Sequence, residues 1–284
     1  MSLQPRQATF LGHAGNRLAA DLYGQGPQVA LLLHGGGQTR HAWRATARRL
    51  AERGFTAVCV DQRGHGDSEW VAGGHYSFAD FGRDAVALGR QVEERFGAKA
   101  AAIGASLGGI ASLHALGHEP CFSSLILVDI VPRMEEQGVR HVQGFMRAHA
   151  ATGFATIEEA AESVAAYLPH RRRPPSVEGL KKNLRLKPDG RWYWHWDPAF
   201  LDGGRPVDGE RATIVQRLED DARRLTVPTL LVRGASSDIV SPESVEAFLA
   251  LVPHARFVDV GGAGHMVAGD KNDVFAEAIL DFLS

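Results

Sequence analysis

Short apolar runs at 29–33, 56–60, 100–103, 125–128, 229–232 and 257–260 recur along the chain, separated by amphipathic segments. Runs without polar alternation suit strands covered on both faces, and strand–helix alternation predicts an α/β fold built on a parallel sheet. The helical segments fall at 39–53, 78–96, 107–116 and 273–283, the third ended by Gly117. In the last, Val274, Ala278, Ile279 and Phe282 are expected on one side. Ser241 followed by Pro242 reads as the start of a further helix. Residues 8–11 and 18–23 read as an opening pair of strands.

The alternation breaks between 132 and 224 and then resumes. This division predicts a core of 1–131 and 225–284 with 132–224 inserted into it. Within the insert, Thr156 with Glu159 three residues on reads as a capping box. The aromatic run WYWHW occupies 192–196. Arg171, Arg172 and Arg173 beside two prolines read as a solvated loop, with a carboxylate-binding rim as the functional alternative.

Charge and composition exclude several partners. Thirty-one Lys and Arg against 33 Asp and Glu leave a net charge of −2, which gives no electrostatic case for nucleic acid. No apolar run is long enough for a membrane span, and the first residues lack a charged start followed by an apolar stretch. The expected location is therefore the cytoplasm, and the expected partner a small molecule; the sequence leaves the oligomeric state open. Two cysteines do not make a disulfide framework, and Cys59 reads as a core residue.

The chemistry concentrates at the ends of the apolar runs. Gly104-Ala105-Ser106-Leu107-Gly108 fits G-x-S-x-G, with a strand before it and a helix after it, the context that motif requires. A sharp strand-to-helix turn lifts the Ser106 hydroxyl clear of the backbone and sets it at a helix N-terminus, which favours developing negative charge. A serine needs a base to become a nucleophile. His265, in GGAGH at 261–265, follows the final strand on a glycine-rich loop. The base in turn needs a carboxylate. Asp238 and Asp129 both follow strands; Asp238 keeps the chain order serine, acid, histidine and is favoured on that template. His34-Gly35-Gly36-Gly37 ends another strand, and the backbone N–H groups of Gly36 and Leu107 are the expected oxyanion donors.

Taken together, HGGG (34–37), DQRGHGDS (61–68), GASLGG (104–109), Asp238 and GGAGH (261–265) resemble the α/β-hydrolases, over 8–131 and 225–284. The resemblance implies an eight-stranded, mostly parallel sheet with helices on both faces and a helical cap inserted after the sixth strand, where 132–224 falls. It also implies a structural role for the DQRGHGDS loop, so Asp61, Arg63 and His65 are not expected in catalysis. The cap is expected to select the substrate. Trp43, Trp192, Trp194 and Met266 are the candidate pocket residues, although aromatic rings such as Tyr193 and Trp196 also suit cap core.

Serine at 106 sets aside reactions that use an aspartate nucleophile. The expected reaction is acyl transfer to water: cleavage of a small carboxylic ester, thioester or lactone through an acyl-enzyme. No Cys/His cluster has zinc spacing and no His-x-x-x-His pattern has a glutamate between, so neither cofactor nor metal is expected. Three relatives in the family are alternatives. The first is carbon–carbon bond hydrolysis of dienoic keto acids, which the Ser106-Leu107-Gly108-Gly109 elbow and Met266 after the histidine disfavour. The second is cofactor-free haloperoxidase or perhydrolase chemistry on the same triad. The third is a small-ligand receptor without turnover.

Overall fold

The computed structural model describes residues 4–169, 176–202, 211–262, 264 and 272–284. Eight strands form one sheet in the order β1-β2-β4-β3-β5-β6-β9-β10. These are β1 (Arg6–Leu11), β2 (Arg17–Tyr23), β3 (Gln28–Leu33), β4 (Phe55–Val60), β5 (Ala101–Ala105), β6 (Ser124–Val128), β9 (Thr229–Gly234) and β10 (Arg256–Val260). β1 and β2 form an antiparallel edge, and β2 meets β4 antiparallel. Every other pairing is parallel. All residues of β4, β6 and β9 are buried, as apolar runs without alternation require.

Successive side chains point to opposite faces and feed two cores. Leu31, Leu33, Val58, Leu127 and Leu231 face α2 (Phe78–Phe96), α3 (Leu107–His118) and α8 (Pro242–Leu251). Ala30, Leu32, Cys59, Ile126 and Val232 face α1 (Arg44–Glu52) and α9 (Asn272–Leu283). Chain 39–53 is a 3₁₀ turn over Arg40–Trp43 followed by α1, where one helix was expected. α3 also differs from expectation, running through Gly117 to His118. Gly117 is retained inside the helix because a Cβ there would collide with the Asp221 carboxylate. On α9 the buried residues are Phe275, Ala276, Ile279 and Leu280, and Val274 is 55% exposed, so the expected face is rotated. Phe275 packs against Trp43, and that contact sets the rotation.

Between β6 and β9 lie α4 (Glu136–Arg147), α5 (Ile157–Tyr167), a hairpin of β7 (Leu184–Leu186) and β8 (Trp192–Trp194), α6 (Ala199–Asp202) and α7 (Arg211–Arg223). β7 and β8 pair antiparallel as a small second sheet. Thr156 caps α5 by accepting from the Glu159 N–H at 3.1 Å, while the Glu159 carboxylate reaches the Ala155 N–H instead of closing the box on Thr156. Polar contacts dock this segment onto the core. The Tyr76 hydroxyl donates to Asp197 at 2.6 Å, Asp197 N–H donates to Gly64 O at 2.8 Å, and Gly66 N–H donates to His195 Nδ1 at 2.7 Å. Among the described residues no helix is long and apolar enough to cross a membrane.

The loop after β4 is pinned from below. Arg63, fully buried, donates twice to Asp84, from Nε at 2.7 Å and Nη2 at 2.6 Å, and once to His75 O at 2.8 Å. Removing Arg63 leaves the buried Asp84 carboxylate with only its contacts to the His13 N–H and ring. Arg63→Ala is therefore expected to lower unfolding free energy by about 3–5 kcal/mol. Urea denaturation monitored by circular dichroism measures it, and a loss under about 1 kcal/mol would contradict the prediction.

Candidate active site

Sheet register brings the ends of four strands side by side. Leu33 pairs with Gly104, Ala105 with Val128, and Val128 with Val232. The residues just beyond those ends, His34–Gly37, Ser106 and Asp129, therefore emerge along one rim, at the crevice where β4 turns back on one side of β3 and β5 continues on the other.

Ser106 is half-buried and adopts φ 46°, ψ −112°, a strained geometry for a residue with a side chain. The elbow is held by Ser106 N–H to Val128 O (3.2 Å), Gly108 N–H to His34 O (3.1 Å) and Ile110 N–H to Ser106 O (3.0 Å). Gly108 lies against the Leu33 carbonyl, where any Cβ would collide. The first N–H groups of a helix have no intrahelical acceptor. The N–H groups of Leu107 and Gly36 donate to no acceptor among the described residues. A Cβ on Gly35 would stand 3.4 Å from Ser106 Cβ, so the glycine loop lies directly over the serine.

Three buried histidines position that loop. Each ring accepts one hydrogen bond and donates one, which fixes a neutral tautomer. His34 accepts from Gln62 N–H at 3.0 Å and donates to Gly35 O at 2.8 Å. His65 accepts from Gly37 N–H at 3.1 Å and donates to Arg63 O at 2.9 Å. His195 accepts from Gly66 N–H and donates to Gly37 O at 3.3 Å. Burial lowers the pKa of His34, and burial with the neighbouring His34 takes that of His195 down to about 3.

An imidazole with a depressed folded-state pKa makes the unfolded chain bind more protons below about pH 6.5. Stability is then full above that value and is lost as pH falls toward about 3. Between pH 7 and pH 5 His195 alone is expected to account for about 2 kcal/mol of loss. Urea unfolding of native protein and His195→Gln at both pH values checks this; an equal acid sensitivity in the two would contradict it.

The two candidate acids have different surroundings. Asp129 is fully buried, at φ 51°, and its carboxylate accepts from Gly234 N–H at 3.0 Å and the Ser237 hydroxyl at 2.6 Å. Its neighbour Val128 carries the carbonyl that holds Ser106. The Asp238 side chain is 52% exposed and lies 3.4 Å from His141 Nδ1 on α4. The Asp238 carbonyl packs on Gly138 of the same helix. His265 and Met266 lie outside the described residues, as do Arg171, Arg172 and Arg173.

The walls over the glycine loop come from the insert. Phe200 and Met146 lie against Gly36, and Met146 and Trp196 against Gly37. Trp194 stands behind this layer, stacked on Trp196 at 4.9 Å between ring centroids and edge-on to Phe154. Trp192 is half-buried and pairs through its backbone with Phe154. Trp43 belongs to the core on the opposite face of the sheet, and so lines no pocket with Met146 and Phe200. Sequence reasoning missed Phe200 as a wall and His195 as a brace. A single histidine inside an aromatic run was the available signal for His195.

A cavity of about 490 Å³ opens between α4, α7, the start of α2 and the outer face of α3. Phe78, Met134, Val139 and Ile214 give it an apolar lining, and neither Ser106 nor Gly36 reaches it.

Residues 29–271 match the alpha/beta hydrolase fold family model. The chain is 28% identical over 262 residues to esterase Rv0045c of Mycobacterium tuberculosis, covering 90% of this chain and 82% of the relative. It is 29% identical over 268 residues to 2-(acetamidomethylene)succinate hydrolase of Mesorhizobium japonicum, covering 92% and 89%. A crystal structure of E-2-(acetamidomethylene)succinate hydrolase superposes with a TM-score of 0.84 at 24% identity, covering 98% of this chain and 99% of that one. A structure of the M. tuberculosis esterase superposes with a TM-score of 0.77 at 26% identity, covering 100% and 93%. With a strand–serine–helix elbow on an eight-stranded sheet and a family match spanning most of its length, the chain belongs to the alpha/beta hydrolase fold family.

Proposed function

We propose that this protein is a serine hydrolase that cleaves a small ester, thioester or lactone with an apolar acyl group. Ser106 is the nucleophile, His265 the base, and the N–H groups of Gly36 and Leu107 the oxyanion donors. The observation that carries this reading is the strained Ser106 at a helix N-terminus, flanked by two N–H groups without an acceptor among the described residues. Ser106 Oγ attacks the carbonyl carbon and its proton passes to His265. The oxyanion forms between the two N–H groups, each worth about 3 kcal/mol in the transition state. Collapse expels the leaving alkoxide or thiolate, which takes the proton from His265. Water activated by His265 then releases the acid and restores Ser106.

For the acid that orients His265, Asp129 is the better supported of the two candidates. A triad carboxylate must be held rigidly and shielded from water to fix an imidazole. Burial and two donated hydrogen bonds support Asp129; Asp238, favoured by chain order, is exposed and turned toward His141. The 132–224 segment acts as the cap, with Met146, Trp196 and Phe200 forming an apolar wall.

A panel of p-nitrophenyl esters, acyl thioesters and lactones of graded chain length tests the reaction class, with 2-(acetamidomethylene)succinate as a polar comparison. Turnover of short apolar esters with a burst of p-nitrophenol is expected. Absence of turnover across the panel would favour ligand binding without catalysis.

A further inference from the structure

We propose that His114, His118 and Asp221 form a binding site for a divalent transition metal, joining the helix that begins at Ser106 to the last helix of the cap. His114 and His118 stand at i and i+4 on α3, on one face about 6 Å apart along the axis, and their ring centroids are 4.2 Å apart. Asp221 projects from α7, with its carboxylate 2.8 Å from His114 Nδ1 and 3.5 Å from His118 Nδ1. One ligand atom from each residue lies within 4.8 Å of the others. Tetrahedral ligands about 2.0–2.1 Å from zinc stand about 3.3 Å apart, so the group needs only small rotations to close on an ion. Two imidazoles and a carboxylate suit zinc, nickel, copper or cobalt rather than calcium or magnesium.

Two glycines shape the site. The His114 ring occupies space that a side chain at Gly82 would fill, and the Asp221 carboxylate occupies space that one at Gly117 would fill. The first two ligands are thus set in slots, and His118, 53% exposed, is the third. Its Nδ1 faces the His114 carbonyl at 2.9 Å, a contact it gives up when it ligates. Asp221 is 3% exposed, and Arg224 stands near it with Nη1 at 3.7 Å. A metal cation would compensate that buried carboxylate more closely. His114 and Asp221 also line the 490 Å³ cavity, which gives an ion an access route and leaves room for water to complete its coordination. The sequence offers no zinc-spaced cluster here, because the third candidate ligand, Asp221, comes from another helix.

The site lies about 12 Å along α3 from Ser106, so it takes no part in the reaction proposed above. Its expected effect is mechanical: metal clamps α7 onto α3. The test uses the full chain without a histidine tag, treated with EDTA and dialysed, and titrated with zinc chloride or nickel chloride alone. One equivalent is expected to bind saturably and raise Tm by several degrees. His118→Ala is expected to keep the native circular dichroism and Tm of the metal-free protein and to weaken binding by about 10–100-fold or more. Asp221→Asn should weaken it similarly, and His254→Ala should leave it unchanged. Cobalt substitution should give a d–d spectrum of nitrogen and oxygen ligation that His118→Ala abolishes. Unaltered metal affinity in His118→Ala, or no saturable one-to-one binding in native protein, would overturn the proposal. Ester turnover by the EDTA-treated protein is read separately, so a failure of the metal site is distinguishable from a failure of the serine mechanism.

Discussion

Ser106→Ala is expected to lower kcat by about 10⁶-fold with little change in KM, the scale seen when a triad serine is lost. The residual rate would come from the Gly36 and Leu107 donors and from binding, about 10³–10⁴ over the reaction in water. The structural cost of the elbow gives a second readout. Ser106 holds a strained φ of 46°, so Ser106→Gly is expected to be equally inactive and about 1 kcal/mol more stable. Steady-state kinetics and urea unfolding on the same preparations measure both. Ser106→Ala retaining more than about a hundredth of native kcat would place the nucleophile elsewhere.

Asp129→Asn is expected to lower kcat by about 10⁴-fold, because an amide at that position holds the wrong tautomer of the base and cannot stabilise an imidazolium. It also costs stability, since a carboxylate that accepts from both Gly234 N–H and Ser237 Oγ becomes a group that presents a donor to one of them. The kinetic loss must therefore be read at a temperature where circular dichroism shows the variant folded. Asp238→Asn, at an exposed site facing His141, is expected to stay within several-fold of native kcat. The opposite pattern would return the acid to Asp238.

The difference between these two aspartates shows where sequence reading stops. Strands β3 to β6 were legible because burial on both faces leaves unbroken apolar runs, and the elbow was legible because its strand–serine–helix spacing is local, with Gly104 against the Gly108 backbone. Local demands such as the Ser241 cap and Pro242 turn were legible for the same reason. The different settings of the two candidate acids were not, because burial of Asp129 depends on β6 lying beside β9, and that neighbour relation joins residues a hundred positions apart. Chain order favours Asp238, while the hydrogen bonds that hold a carboxylate still come from the fold.

Tertiary contacts account for the other departures as well. Gly117 reads as a stop signal until Asp221 on α7 supplies the reason for a glycine within a helix. Val274 fits the helical period of α9, yet the Phe275–Trp43 contact decides which face turns inward. The aromatic run at 192–196 divides by layer. Trp196 reaches the glycine loop, Trp194 supports it from behind, and His195 braces the loop through Gly66 and Gly37. Periodicity marks such residues as buried without saying what they are buried against.

Reaction with a fluorophosphonate, followed by intact mass and peptide mapping, bears on the nucleophile most directly. A single adduct on the peptide carrying Ser106, absent from Ser106→Ala and suppressed by a short ester substrate, is the predicted result. An adduct on another residue, or none from a protein that hydrolyses esters, would contradict it.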